Sequence, residues 1–392
     1  MRNEREKRAE ERAGRIGDPV ERLRYLRRTM GPNSEALLLS RLRRWHARKL
    51  AWLGLPLLLL CFLVPKYQAS SRAKAPITLA SIPLSAGAVN VTDPVVQPEV
   101  ATNVWLVDHT PAFETYSNGL RIDDRYITPN QKRIAYRVYH IDSGQPEWRS
   151  NPAGIVYHTT ESDQARFTAD QNSRLKRIAK AVIGVVQQNR SYHFLIDRFG
   201  QVFRIVPESD VANHAGYSVW GGDTGVFVNL NSSFLGIAFE TQTERGDLPS
   251  ANPAQVHSAR ILTEMLRAKY HMAVSNCVTH AQVSVNPDNM LVGYHTDWAG
   301  NFPFLEIGLE DNYALPPASI YAFGFDYDPV FVHATGVRLW QGLALAEAQM
   351  QTRAADRRIP VSRYRTILQT KYKEVLAALK AEAIANDNHH ET

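Results

Sequence analysis

The spacing of apolar residues divides the chain into stretches of different character. Residues 1–49 are charged throughout and broken by Gly14, Gly17, Pro19 and Gly31-Pro32, a pattern that supports only short helices. Residues 50–65, LAWLGLPLLLLCFLVP, hold no charge at all. Residues 66–103 are rich in Ala, Ser, Pro, Val and Thr and poor in aromatics, which predicts an extended linker. From residue 104 the apolar positions alternate with polar ones, as a half-buried sheet requires. Runs at 113–117 and 120–122 flank Asn118-Gly119 and predict a hairpin with a type I′ turn, and 134–141 reads as a further strand. We expect 104–150 to form a small β-rich element.

From residue 154 the pattern becomes α/β. The runs around Ile155, Phe194, Phe203 and Ile237 are nearly unbroken apolar segments, expected of strands covered on both faces. Between them, 168–190 repeats at helical spacing with Leu175, Ile178, Val182 and Val185 on one face. A second helix starts near Pro253 and runs to Tyr270, with Val256, Ala259, Leu262, Met265 and Leu266 inward. These elements predict a central mixed β-sheet flanked by helices. Beyond residue 304 come several prolines and an aromatic stretch, YAFGFDY at 321–327, read either as a wrap over the domain or as a wall for stacking sugars. Two helices close the chain, at 337–357 and 362–385, separated by Pro360, with Ser362 as the expected N-cap. The stripe of Tyr364, Leu368, Tyr372, Val375 and Leu379 is expected to pack on the protein's own body. The predicted organisation is therefore a tail (1–49), an apolar segment (50–65), a linker (66–103), a β-rich element (104–150), an α/β domain (151–330) and C-terminal helices (331–392).

Charge changes the picture at the N-terminus. Of the 45 Lys and Arg, fifteen lie in residues 1–49 against seven acids, a surplus of eight; the net charge is +6, so the rest of the chain is two charges negative. The folded part thus has no basic footprint for nucleic acid. The Arg cluster before residue 50 outweighs the three cations that follow residue 65, which predicts a single membrane span with the N-terminus inside, although sixteen apolar residues fall short of the usual ~20. A cleaved signal peptide is the rival, with an n-region of unusual length. The folded part is then expected outside the inner membrane, in the periplasm or beyond. With only two Cys, Cys61 and Cys277, no disulfide framework is available, and Cys277 reads as a small buried hydrophobe.

Candidate chemistry gathers late in the chain. His280 is followed fifteen residues on by His295-Thr296-Asp297, and imidazole and carboxylate are zinc donors. His158, at the end of the apolar run GIVYHTT, is the best further donor. Glu240 closes the apolar run LGIAF, where a carboxylate is poorly solvated unless it meets a cation or a reacting water. An ion pair with Arg204 is the bland alternative for Glu240. There is no His-Glu-x-x-His helix.

Six short segments, VYHTT, YHFLIDRFGQVFRIVPE, NHAG, LGIAFE, VTH and HTDWAGNFPF, occur in an order that resembles the type 2 zinc-dependent N-acetylmuramoyl-L-alanine amidases and the related peptidoglycan recognition proteins. The resemblance covers roughly residues 154–304. It implies a zinc ion held by His158, His280 and Asp297, with Glu240 as the catalytic carboxylate. His214, together with Asn231, is assigned to the substrate groove. His295 stands where the family has a Lys, and is expected either to donate to a developing oxyanion or to compete for the metal. Trp298-Ala299-Gly300 replaces the family's Pro-Gly after the last ligand, so the loop there is expected to differ in shape. The implied activity is hydrolysis of the bond between N-acetylmuramic acid and L-alanine in peptidoglycan or muropeptides. The alternatives are a peptidoglycan-binding module without turnover and a membrane-tethered scaffold. The oligomeric state is not legible in the sequence.

Overall fold

The unbroken apolar runs are strands with no wet face. In the computed structural model, β6 (Gly154–Thr159) and β11 (Phe234–Phe239) are buried at every position and lie side by side, parallel, at the centre of an eight-stranded mixed sheet. The structure describes residues 103–140, 146–222, 225–243, 251–327, 331 and 337–390. The tail, the apolar segment and all but the end of the linker lie outside those residues. Among the described residues, no helix is long and apolar enough to cross a membrane.

The chain enters through β1 (Leu106–His109), β2 (Phe113–Tyr116) and β3 (Arg121–Asp123), an antiparallel meander. These strands extend the central sheet itself: β3 runs parallel to β8 (Val202–Arg204), giving the order β1-β2-β3-β8-β7-β11-β6-β12. The β2–β3 turn is not the two-residue type I′ turn expected from Asn118-Gly119. Only Gly119 has positive φ (+84°), and Tyr116 N–H bonds Leu120 C=O across a three-residue loop. Type I′ requires positive φ at both central residues, whereas here glycine alone takes the left-handed position.

Strands β4 (Tyr136–Tyr139) and β5 (Glu147–Arg149) join β10 (Gly225–Val228) and β9 (Val219–Gly222) in a second, four-stranded sheet. Helix α1 (Asn172–Asn189) follows β6 and precedes β7 (Phe194–Ile196). Its inner face is Leu175, Ala179, Val182, Ile183 and Val186, and Val185 is turned to solvent. The expected stripe was therefore partly out of phase, because Ala179 and Val186 complete a wider face than the spacing of branched residues alone revealed. A single turn, α2 (Leu230–Ser233), leads into β11. Helix α3 (Pro253–Tyr270) has the predicted bounds; Asn252 and Gln255 form a reciprocal capping box, and Pro253 occupies the first turn.

Strand β12 (Cys277–Thr279) pairs parallel with β6 and runs directly into the one-turn α4 (His280–Val283). Cys277 is fully buried, and burial pushes its thiol up to about 12. Short strands β13 (Val285–Asn286), β14 (Leu291–Val292) and β15 (Asp326–Tyr327) make a small third sheet. The aromatic stretch belongs to the core, with one turn of helix, α5 (Ala318–Tyr321), opening it. Phe323 and Phe325 are buried against Tyr372, at 5.3 and 4.7 Å between ring centroids. It is therefore no stacking wall. Helices α6 (Val337–Asp356) and α7 (Val361–His390) follow; Tyr364, Leu368 and Tyr372 are buried and Val375 and Leu379 half-buried, on the protein's own body. Ser362 is already inside α7, since Tyr364 N–H bonds Pro360 C=O.

Candidate active site

Parallel strands deliver their residues to one edge of the sheet, and at the carboxyl ends of β6 and β12 that edge is imidazole-rich. His158 is the penultimate residue of β6. His280 is the first residue of α4, set by the capping box of Thr279 and Gln282. Asp297 comes from the loop after β14, held where Ala281 N–H bonds its carbonyl at 3.2 Å. The side chains of all three are buried and converge. His280 Nδ1 lies 2.9 and 3.1 Å from the two oxygens of Asp297, and His158 Nδ1 lies 3.4 Å from Oδ2. His295 stacks on the His280 ring at 4.4 Å between centroids, with its backbone N–H on Ser284 Oγ. It is buried beside the cluster, which gathers the Nδ1 atoms of His158 and His280 around Asp297.

Electrostatics explains why this cluster calls for a cation. Burial, with His280 adjacent, pushes the His158 ring down to about 4, so it is neutral at pH 7. Burial opposes charge on Asp297, but the His280 and His158 rings hold its carboxyl well below the usual carboxylate range. Asp297 is thus a buried, ionised carboxylate whose partners here are two imidazole rings, an arrangement that a cation set between them would complete. Two imidazole nitrogens and one carboxylate oxygen are a zinc donor set, and three protein ligands leave a position open. The residues present therefore fit zinc.

Glu240 lies on the same face. Ala238 of β11 is the in-register partner of His158, and Glu240 is two residues beyond it, about 7 Å further along at the usual strand rise. The carboxylate is 1% exposed and accepts from Arg198 N–H at 3.2 Å. Burial raises it to about 7 against that hydrogen bond, with the Asp197 charge adding to the rise. Asp197 is itself pushed up to about 6 by burial, although it accepts N–H groups of Phe199 and Gln201 in the β7–β8 turn. Arg204 is not Glu240's partner: it pairs with Glu114, Asp124 and Glu208.

The two residues assigned to the groove sit differently. His214 Nδ1 is 3.1 Å from His158 Nε2, so it stands behind that ring. Asn231 Oδ1 accepts the backbone N–H groups of His214, Ala215 and Gly216, at 3.0, 2.7 and 2.8 Å, which fixes the loop. Sequence reasoning passed over Tyr192 and His193. Tyr192, at φ +59°, sets its ring 5.0 Å from that of His158, and buried His193 accepts Gly236 N–H through Nδ1. The only available signal was their place immediately before the apolar run of β7.

The family described as N-acetylmuramoyl-L-alanine amidase matches residues 148–299, a span that holds His158, Glu240, His280 and Asp297. Residues 148–299 thus resemble a type 2 N-acetylmuramoyl-L-alanine amidase domain. It is 34% identical over 92 residues to the N-acetylmuramoyl-L-alanine amidase AmiD of Escherichia coli (strain K12), a match over 21% of this chain and 31% of that protein. Among solved structures, the chain is similar to E. coli AmiD in complex with the substrate anhydro-N-acetylmuramic acid-L-Ala-D-gamma-Glu-L-Lys, with 18% identity, a TM-score of 0.34, and coverage of 62% of this chain and 98% of that one. A second is AmpDh3 of Pseudomonas aeruginosa in complex with anhydromuramic pentapeptide, with 21% identity, a TM-score of 0.32, and coverage of 42% and 64%. At the end of the matched span, Trp298 takes the left-handed conformation at φ +58° directly after Asp297, its ring buried between Phe239 and Phe302. The loop that departs from Pro-Gly is thus anchored by an aromatic plug.

Proposed function

We propose that the chain is a membrane-anchored, zinc-dependent hydrolase of the amide bond between N-acetylmuramic acid and L-alanine in peptidoglycan. The observation that carries this is the buried convergence of His158, His280 and Asp297 with Glu240 on the same sheet face. His158, His280 and Asp297 would hold zinc. The chemistry a bound zinc supplies is Lewis acidity, which makes water acidic near neutral pH and polarises a carbonyl.

The remaining work falls to side chains of this domain. Glu240 takes the proton of the attacking water and passes it to the leaving alanine nitrogen. A carboxyl raised to about 7 does both near neutral pH, where a free glutamate would hold too little of the proton. His295, stacked beside His280, would donate a hydrogen bond to the oxygen that gains charge as the carbonyl carbon becomes tetrahedral. Burial excludes bulk water and strengthens each of these interactions.

Residues 50–65 would anchor the chain in the inner membrane, with the amidase domain in the periplasm or outside the cell, where peptidoglycan lies. The linker would let it reach the wall. The test uses the full chain in detergent with purified sacculi, measuring new L-alanine amino ends and bound zinc together. Release of amino ends that stops on chelation is expected. Binding to sacculi with zinc retained and no new ends would overturn the enzyme reading in favour of a recognition module. Protease added to spheroplasts should remove the domain and spare residues 1–49; a protected domain rejects the topology.

A further inference from the structure

We infer that His214 is a positioning residue that fixes the tautomer of His158 and so aims its Nδ1 lone pair at the metal position. The inference rests on the zinc reading of the site but concerns a different residue. His214 Nε2 lies 3.3 Å from the main-chain carbonyl oxygen of Phe234. A carbonyl oxygen only accepts, so Nε2 carries the hydrogen, and in the neutral ring Nδ1 is then an acceptor. His158 Nε2, 3.1 Å from that Nδ1, must therefore donate. Its own Nδ1 is left with a lone pair, and that is the nitrogen turned toward Asp297 at 3.4 Å. A lone pair beside a carboxylate repels it; with a cation between them, both become ligands.

The surroundings of His214 serve this one hydrogen bond. Asn231 Oδ1 gathers the N–H groups of residues 214–216 and fixes where the ring leaves the backbone. Gly236 makes the slot: a Cβ there would stand 2.7 Å from Cγ of the His214 ring, so any larger residue displaces it. Strand β11 thus supplies the carbonyl at Phe234, the slot at Gly236 and the in-register neighbour of His158 at Ala238. The arrangement is an oriented chain from main-chain carbonyl to metal position, with each hydrogen assigned.

The test compares His214→Phe, which keeps a ring and removes the acceptor, with His214→Asn, whose side-chain oxygen stands close to the place of Nδ1. Zinc affinity of the full chain is measured by competition with a chelating dye, with His158→Ala as the control that empties the site. His214→Phe is expected to weaken zinc about 10–100-fold, the usual loss on removing such a partner, while His214→Asn stays near wild type. Imidazole nitrogen spectra of the zinc-free protein should show His158 protonated at Nε2 in wild type and in His214→Asn, and a mixture of tautomers in His214→Phe. If the Phe variant does not fold, Gly236→Ala, with His214 retained, should weaken zinc in the same way. Wild-type zinc affinity in a folded His214→Phe or Gly236→Ala protein overturns the positioning role alone. A wild type that takes up no more zinc than His158→Ala overturns the metal reading, and this inference with it.

Discussion

Carboxylates meet their counter-charge in opposite ways at two places beside the central sheet. On β8, Arg204 reaches Glu114 at 2.7 Å, Asp124 at 2.6 Å and Glu208 at 2.9 Å, and Lys269 adds a second cation to Glu208 at 3.3 Å. The geometry of His109, Glu114 and Asp124 alone would pass for a metal site. It is not one, because the chain's own guanidinium fills it. At the ends of β6 and β12, Asp297 meets imidazoles, and no Lys or Arg is among its ion-pair partners in the described residues. The contrast teaches what distinguishes a structural charge cluster from a reactive one. The Arg204 cluster draws its cation from the chain itself, whereas Asp297 has only imidazole partners among the described residues.

The comparison breaks most sharply at the ligands. His158→Ala should abolish zinc uptake and turnover together, measured by metal analysis and release of L-alanine amino ends. Asp297→Ala should do the same; zinc retained there but lost in His295→Ala would make His295 the third ligand instead. Glu240→Gln should keep zinc and sacculus binding and lose roughly 10²–10⁴ in turnover, the range for general-base catalysis; turnover near wild type removes Glu240 from the mechanism. Arg204→Met tests the other cluster. Removing the guanidinium from buried Glu208 and half-buried Glu114 and Asp124, with only Lys269 left to Glu208, should destabilise the fold by up to about 3 kcal/mol in chemical denaturation, with zinc affinity of the folded protein unchanged. If zinc affinity falls in parallel, the two clusters are not independent.

The smallest effect is on pH dependence. Glu240 must be ionised to take a proton, and burial lifts its carboxyl to about 7. Turnover should therefore fall as pH drops below about 7. The stability sign runs the other way: a raised carboxyl favours the folded state fully below 4.5 and loses that contribution as pH rises through about 7. Glu240→Gln should then be more stable than wild type above pH 7 in thermal melts, and no less stable below 4.5. An acid limb that stays at pH 4–5 in wild type would mean that the buried carboxylate is not the group being titrated.

Much of the fold was legible because burial on both faces leaves a mark in sequence. The runs ending at His158 and Glu240 read as central strands, and Pro253 marked the first turn of α3, where the structure adds a capping box of Asn252 and Gln255. Pairing was not legible: nothing local in residues 106–123 says that β3 will lie against β8, some eighty residues on. Turn type failed at Asn118-Gly119 because the pair fits two loops that differ by one residue. At the site, residue types and order pointed to His158, Glu240, His280 and Asp297. His214 and Asn231 were assigned to the substrate groove from order alone; what the sequence did not show is that Asn231 ties down the 214–216 loop and that His214 lies against the His158 ring. A side chain's direction depends on what its loop bonds to, and that contact lies seventeen residues from His214, at Asn231.

The buried thiol of β12 gives the domain a built-in clock. Cys277 is 0% exposed and its thiol is pushed up to about 12, so in the closed protein it offers no thiolate to an alkylating or oxidising reagent. Modification has to wait for β12 to leave β6, and that opening also carries away His280, three residues on. The rate at which a thiol reagent enters the peptide around Cys277 therefore counts how often the site comes apart, with or without substrate. A metal that bridges His158 and His280 would slow that count, because it ties together the same two strands that must separate.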